Sequence, residues 1–152
     1  MESKASQALT VVRTLKVSFI VAGLLFLYVV FKLPPNVTTH PQPAFELVIS
    51  AIALTNVVLG FVLPGLKARA SRRSRTTAPP TTPIQRWMAG YLFSLALFQS
   101  CNLFGVVLHF VGARILVVES LFAAGLLAML FRNPGAPPTG EGVSDAQAFP
   151  EH

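Results

Sequence analysis

Four apolar runs dominate this chain: Val17 to Leu33, Phe45 to Leu66, Trp87 to Val111 and Ile115 to Phe131. Each fits the length a helix needs to cross about 30 Å of hydrocarbon at about 1.5 Å per residue. None shows the period-two alternation over about 10 residues that membrane β-strands require. The expected fold class is therefore all-α, a polytopic membrane four-helix bundle. Apolar residues make up 53% of the 152 and charged residues 12%, which suits that class better than a soluble domain.

The bilayer reading divides the chain into an N-terminal arm (1–16), a transmembrane domain (17–132) and a tail (133–152). Within the domain the spans are 17–33, 45–66, 87–111 and 115–131, with a basic loop at 67–86. Lys4, Arg13 and Lys16, then Lys67, Arg69, Arg72, Arg73, Arg75 and Arg86, then Arg132, fall on one side of the four spans; only Lys32 and Arg114 fall on the other. Basic residues mark the cytoplasmic side, so both termini and the loop are expected in the cytoplasm and the chain in the cell's inner membrane. The first run could also be a cleavable signal peptide, but "KLPPN" follows it without a small-x-small cleavage site. A retained anchor ended by Pro34 and Pro35 is the preferred reading. The tail "NPGAPPTGEGVSDAQAFPEH" has the composition of a disordered end. Asn36-Val37-Thr38 has the form of a glycosylation sequon, a match attributed to chance so close to the membrane.

The net charge of +6 comes from basic residues grouped beside apolar spans rather than along one exposed face, so nucleic acid is not expected as a partner. The lipid bilayer is, with anionic headgroups held at the basic loop. Cys101 is the single cysteine, which excludes an internal disulfide, a Cys-x-x-Cys pair and a cysteine-based zinc site within one chain. No metal or other cofactor is expected.

Within the third run "LFQSCNLFG" places Gln99, Ser100, Cys101 and Asn102 consecutively near the middle. At about 100° per residue, Gly90, Ser94, Cys101, Gly105 and Gly112 form a stripe of small side chains. Such a stripe lets another helix approach closely where lipid offers no hydrophobic drive. Ser120, Ala124 and Ala128 offer a matching surface on the fourth run, predicting a tight hairpin across Gly112 to Arg114. Asn102 and His109 lie beside the stripe, and Gln99 one turn before Asn102. Asn56 falls at similar depth in the second run, so a hydrogen bond from Asn56 to Gln99 or Asn102 is expected. Glu119 lies about one turn inside the far end of the fourth run, where His109 and Arg114 are expected to gather around it. Intramembrane carboxylates are functional suspects by default, so Glu119, His109, Asn102, Gln99, Asn56 and Arg114 are the candidates for ion or ligand handling.

"ALFQSCNLFGVV", Ala96 to Val107, resembles the segment of rotary ATPase proteolipids, the subunit c family, in which a membrane carboxylate follows Ala-Leu-x and precedes an aromatic-Gly-aliphatic run. The resemblance implies a helix hairpin of the second and third runs around a cytoplasmic loop, with Gln99 in the place of the ion-binding carboxylate. An amide cannot gain and lose a proton there, and the second run lacks that family's glycine repeat. The threading is also similar to that of four-span bacterial membrane proteins at large. No complete catalytic set accompanies these residues. The expected role is a non-enzymatic structural or assembly subunit that packs through its small-residue faces, with itself or with another membrane subunit. The alternatives are proton or cation handling by Glu119 and His109, and, more weakly, an enzyme acting on lipid or quinone with His109 as base.

Overall fold

The structure, a computed structural model, describes residues 4–34, 42–73 and 82–138, with 64–73 as backbone only. Its regular elements are α-helices: α1 (Lys4–Lys32), α2 (Pro43–Arg73), α3 (Pro83–Val111) and α4 (Ile115–Phe131). By length and composition, α1, the Pro43–Leu63 part of α2, and α3 are each able to cross a membrane; α4, with 17 residues, is a shorter apolar helix.

Three helices start earlier than their apolar runs. The arm before Val17 is helical from Lys4, because its helix-forming residues continue the ladder and bury Ala8 and Val12. Pro43 opens α2, where the amide it lacks would have had no partner. This helix runs on to Arg73, so the first part of the 67–86 segment is helix and not loop. A capping box sets the start of α3 at Pro83: the Gln85 amide donates to Thr82 Oγ1 at 3.3 Å, and the Thr82 amide donates to Gln85 Oε1 at 3.0 Å. The Asn36 sequon, residues 74–81 and the tail beyond Pro138 lie outside the described residues.

Gly112 ends α3 with φ 84°, a left-handed conformation that glycine adopts without strain. Its amide donates to His109 O at 3.0 Å and the Ala113 amide to Leu108 O at 2.9 Å, the Schellman pattern. Gly112 is therefore a stop signal rather than part of a packing stripe, and two residues later α4 returns antiparallel.

α3 is the hub. It packs against the other three helices, while α1 and α2 each rest on the α3/α4 pair and barely touch one another. They therefore flank the pair on opposite sides. One apolar cluster, around Val30, Ala53, Leu108, Val118 and Phe122, fills the end nearest the Gly112 turn. A second, around Val12, Tyr91, Leu95, Phe98 and Met129, fills the end where α1 begins and α4 finishes. These are called the turn end and the terminal end below.

The face of α4 that enters the core is Val118, Leu121, Phe122, Gly125, Ala128 and Met129. This corrects the Ser120/Ala124/Ala128 surface. Ala128 is buried, Ala124 half-buried, and Ser120 exposed, with its hydroxyl donating to Val117 O within α4. The reason is shape: Phe122 lies over Gly105, and a Cβ on that glycine would fall 2.8 Å from Phe122 Cε2. A large side chain in a glycine notch, rather than two small faces, closes the α3/α4 hairpin.

Candidate functional site

The polar residues of α3 divide between two neighbours. Toward α2, Ser94 Oγ donates to Gly60 O at 2.7 Å, with its own Gly90 O 3.1 Å away, and Cys101 Sγ donates to Ala53 O at 3.0 Å. Asn56 Nδ2 donates to Ser100 Oγ at 2.9 Å, and Ser100 Oγ donates to Leu97 O at 2.6 Å. Ser100 thus replaces Gln99 and Asn102 as the partner of Asn56. Successive helix positions turn by about 100°, so Ser100 and Asn102 point about 160° apart and cannot both face α2. The small stripe serves two partners accordingly, with Ser94 and Cys101 against α2 and Gly105 against α4.

Asn102 faces α1 and α4 and is fully buried. Its Nδ2 donates to Gln99 Oε1 at 3.1 Å, so these two amides pair along one helix turn. Its Oδ1 is buried with no hydrogen-bond partner. Two glycines make room for the amide: a Cβ at Gly23 of α1 would lie 2.7 Å from Nδ2, and one at Gly125 of α4 would lie 2.6 Å from Oδ1 and 2.9 Å from Phe98 O. The missing Cβ of Gly125 is what lets the backbone of α4 come up against Oδ1. Asn102 is the wedge on which three helices converge.

At the turn end, Arg114 does not join His109 and Glu119. Its Nε donates to Glu46 Oε2 at 3.0 Å and its backbone amide approaches Glu46 Oε1 at 3.3 Å. Glu46 is only 6% exposed, whereas the Arg114 side chain is 76% exposed. The pair ties the first turn of α2 to the α3–α4 connection. His109 is buried, and its Nε2 lies 2.9 Å from Leu33 O. A carbonyl only accepts, so Nε2 carries the proton and holds the end of α1. Glu119 is exposed on the outward side of α4, so the expected three-residue cluster is replaced by two separate ties. The sequence does not show Glu46 as the partner of Arg114, because the two lie 68 residues apart.

The terminal end is clamped in parallel. Lys16 Nζ donates to Leu130 O and Arg132 O, each at 3.0 Å, placing an ammonium at the negative end of α4. Tyr91 Oη donates to Arg132 O at 3.2 Å and Trp87 Nε1 to Pro134 O at 2.9 Å. The Arg132 guanidinium lies over the Phe61 ring, 5.8 Å from its centroid. Residues 133–138, expected to have no fold, follow α4 as an irregular segment tethered at Pro134.

The arrangement offers fixed hydrogen-bonding groups and, among the described residues, no nucleophile paired with a base. No group of three His, Cys, Asp or Glu stands close enough to hold a metal ion among the described residues. Gln99 accepts the hydrogen bond from Asn102 Nδ2. Comparison with protein-family models, with curated proteins and with solved structures finds no match to this chain.

Proposed function

We propose that this protein is a non-enzymatic, four-span structural or assembly subunit of a cell membrane, with both termini and the α2–α3 connection in the cytoplasm. One observation carries the reading: the polar side chains of α3 make hydrogen bonds within the chain, Ser94 to Gly60, Cys101 to Ala53, Ser100 with Asn56 and Asn102 Nδ2 to Gln99, with Asn102 Oδ1 enclosed between glycines. A transport or catalytic site would keep such groups available. Outside, the bundle is apolar: Val21, Leu24, Leu25 and Phe31 of α1 and Leu47, Val58 and Val62 of α2 are exposed. Lipid tails solvate those faces at no cost, and hydroxyls such as Thr14 and Thr55 return their protons to the carbonyl four residues back. Trp87, Tyr91, Lys16 and Arg132 at the terminal end are the residue types that mark a membrane–water boundary.

The ion-handling alternative has no geometric support of this kind, since His109 is tied to Leu33 O and Glu119 opens away from it.

The assembly reading is tested by extracting alkali-washed membranes with a mild detergent and measuring particle mass by light scattering. The expected protein component is a discrete multiple of the 16.3 kDa chain, or a fixed complex with a second membrane protein. A protein that leaves the membrane on alkaline washing, or that runs as a single chain and forms no cross-linked product in intact membranes, would contradict the proposal.

A further inference from the structure

Among the described residues, the carboxylate on the outward face of α4 meets no charged partner. Glu119 is exposed, four residues into α4, and so about 6 Å along the axis from the helix start. The one ion pair among the described residues joins Arg114 to Glu46, which leaves the basic residue nearest Glu119 in sequence already engaged. A carboxylate on a lipid-facing surface is costly unless a cation meets it.

An exposed cation lies at matching height on the opposite kind of surface. Lys32 ends α1 and is exposed, with its Nζ over the Tyr28 ring, 5.9 Å from the centroid. Gly23 and Gly125 both touch the Asn102 amide and so share one level of the bundle. Counting from them toward the turn end at 1.5 Å per residue, Lys32 stands about 13 Å and Glu119 about 9 Å above that level. The difference of about 4 Å is within reach of the two side chains. Leu25, Tyr28 and Phe31 form a bulky exposed ridge on α1, and on α4 the small exposed Ser120 and Ala123 leave a step beside Glu119 between the exposed Leu116 and Leu127.

We infer that a second copy of this chain lays its α1 ridge on the outward face of α4 and pairs its Lys32 with Glu119. The inference rests on the assembly reading above and names the surface used. Rotation about an axis normal to the membrane preserves height, so copies related in this way bring the two charges together. The contact joins unlike faces, so it repeats from copy to copy and closes into a ring when the rotation divides a full turn.

Charge reversal tests it in detergent-solubilised protein with the mass measured across a dilution series. Glu119→Lys and Lys32→Glu are each expected to raise the concentration at which the assembly dissociates by about tenfold, within the range of polar contacts between membrane helices. The double reversal is expected to restore it. Both residues are exposed, so the melting temperature of each variant should stay near that of the parent, which confirms that folding is intact. In a Cys101→Ser background, co-expressed Glu119→Cys and Lys32→Cys chains should be joined by a bis-maleimide whose spacer matches the reach of a Lys–Glu pair, into a dimer that neither forms alone. Single reversals without effect, a double reversal no better than the singles, or no cross-link overturns the inference while leaving an assembling wild type in place. A wild type that is a single chain at every concentration removes the assembly reading as well.

Discussion

Gly125→Leu is expected to destabilise the bundle by about 3 kcal/mol, the upper end of what overpacking costs in a filled interior. The Cβ alone would lie 2.6 Å from Asn102 Oδ1 and 2.9 Å from Phe98 O. An amide can swing aside, but the Phe98 carbonyl belongs to the backbone of α3, so α4 itself must move outward. That movement separates Phe122 from Gly105 and loosens the terminal-end cluster around Ala128 and Met129. Thermal unfolding in a mild detergent, with Ala123→Leu as the control on the exposed side of the same helix, measures the effect. Equal melting temperatures for the two variants would mean that α4 does not pack where this account places it.

Arg114→Ala is the second large effect, and it is asymmetric. Removing the arginine leaves the Glu46 carboxylate, 8% exposed in its side chain, with only a backbone amide at 3.3 Å. Leaving a buried acceptor without its charged partner costs about 1 to 3 kcal/mol. Replacing the acid by Glu46→Gln leaves Arg114 in water, where it is already mostly exposed, and should cost less than half as much. A double-mutant cycle over these two positions, read by unfolding at neutral pH, should show coupling between them. If Arg114→Ala and Glu46→Gln are equally mild and additive, the tie between α2 and the Gly112 turn is not a stabilising contact.

How much of this could be read from the sequence differs from helix to helix, for reasons visible in the residues. The α4 run, Ile115 to Phe131, matches its helix at both ends, because Gly112 closes α3 and Arg132 interrupts the apolar pattern. Pro34 and Pro35 likewise mark where α1 ends. The helices α1, α2 and α3 begin before the apolar runs, because hydropathy follows the span, whereas the helix follows backbone hydrogen bonding and continues through polar residues. For α3 the signal was present in Thr82-Pro83-Ile84-Gln85, a capping-box sequence.

Partner assignment was harder. Nearly every residue of α4 is apolar or small, so periodicity cannot show which side faces the core, and the inward place expected of Ser120 is held by Gly125. Gly23 and Gly60 escaped notice for a related reason. A single glycine in an apolar helix carries no pattern, and its significance comes from Asn102 or Phe98 on another helix. The group of polar residues on α3 was legible as interhelical contacts, but which neighbour each one meets depends on the placement of α2 opposite α1.

The most direct test of the account is the sidedness of single cysteines in sealed membranes. With Cys101→Ser as background, Thr82→Cys and Gly135→Cys report the terminal end and Gln42→Cys the turn end, all at exposed positions. A membrane-impermeant maleimide added from outside should label Gln42→Cys in intact cells, and should label Thr82→Cys and Gly135→Cys only after the cells are opened. Labelling of Thr82→Cys and Gln42→Cys from the same side would mean that α2 does not cross the bilayer, and a four-span bundle would be contradicted.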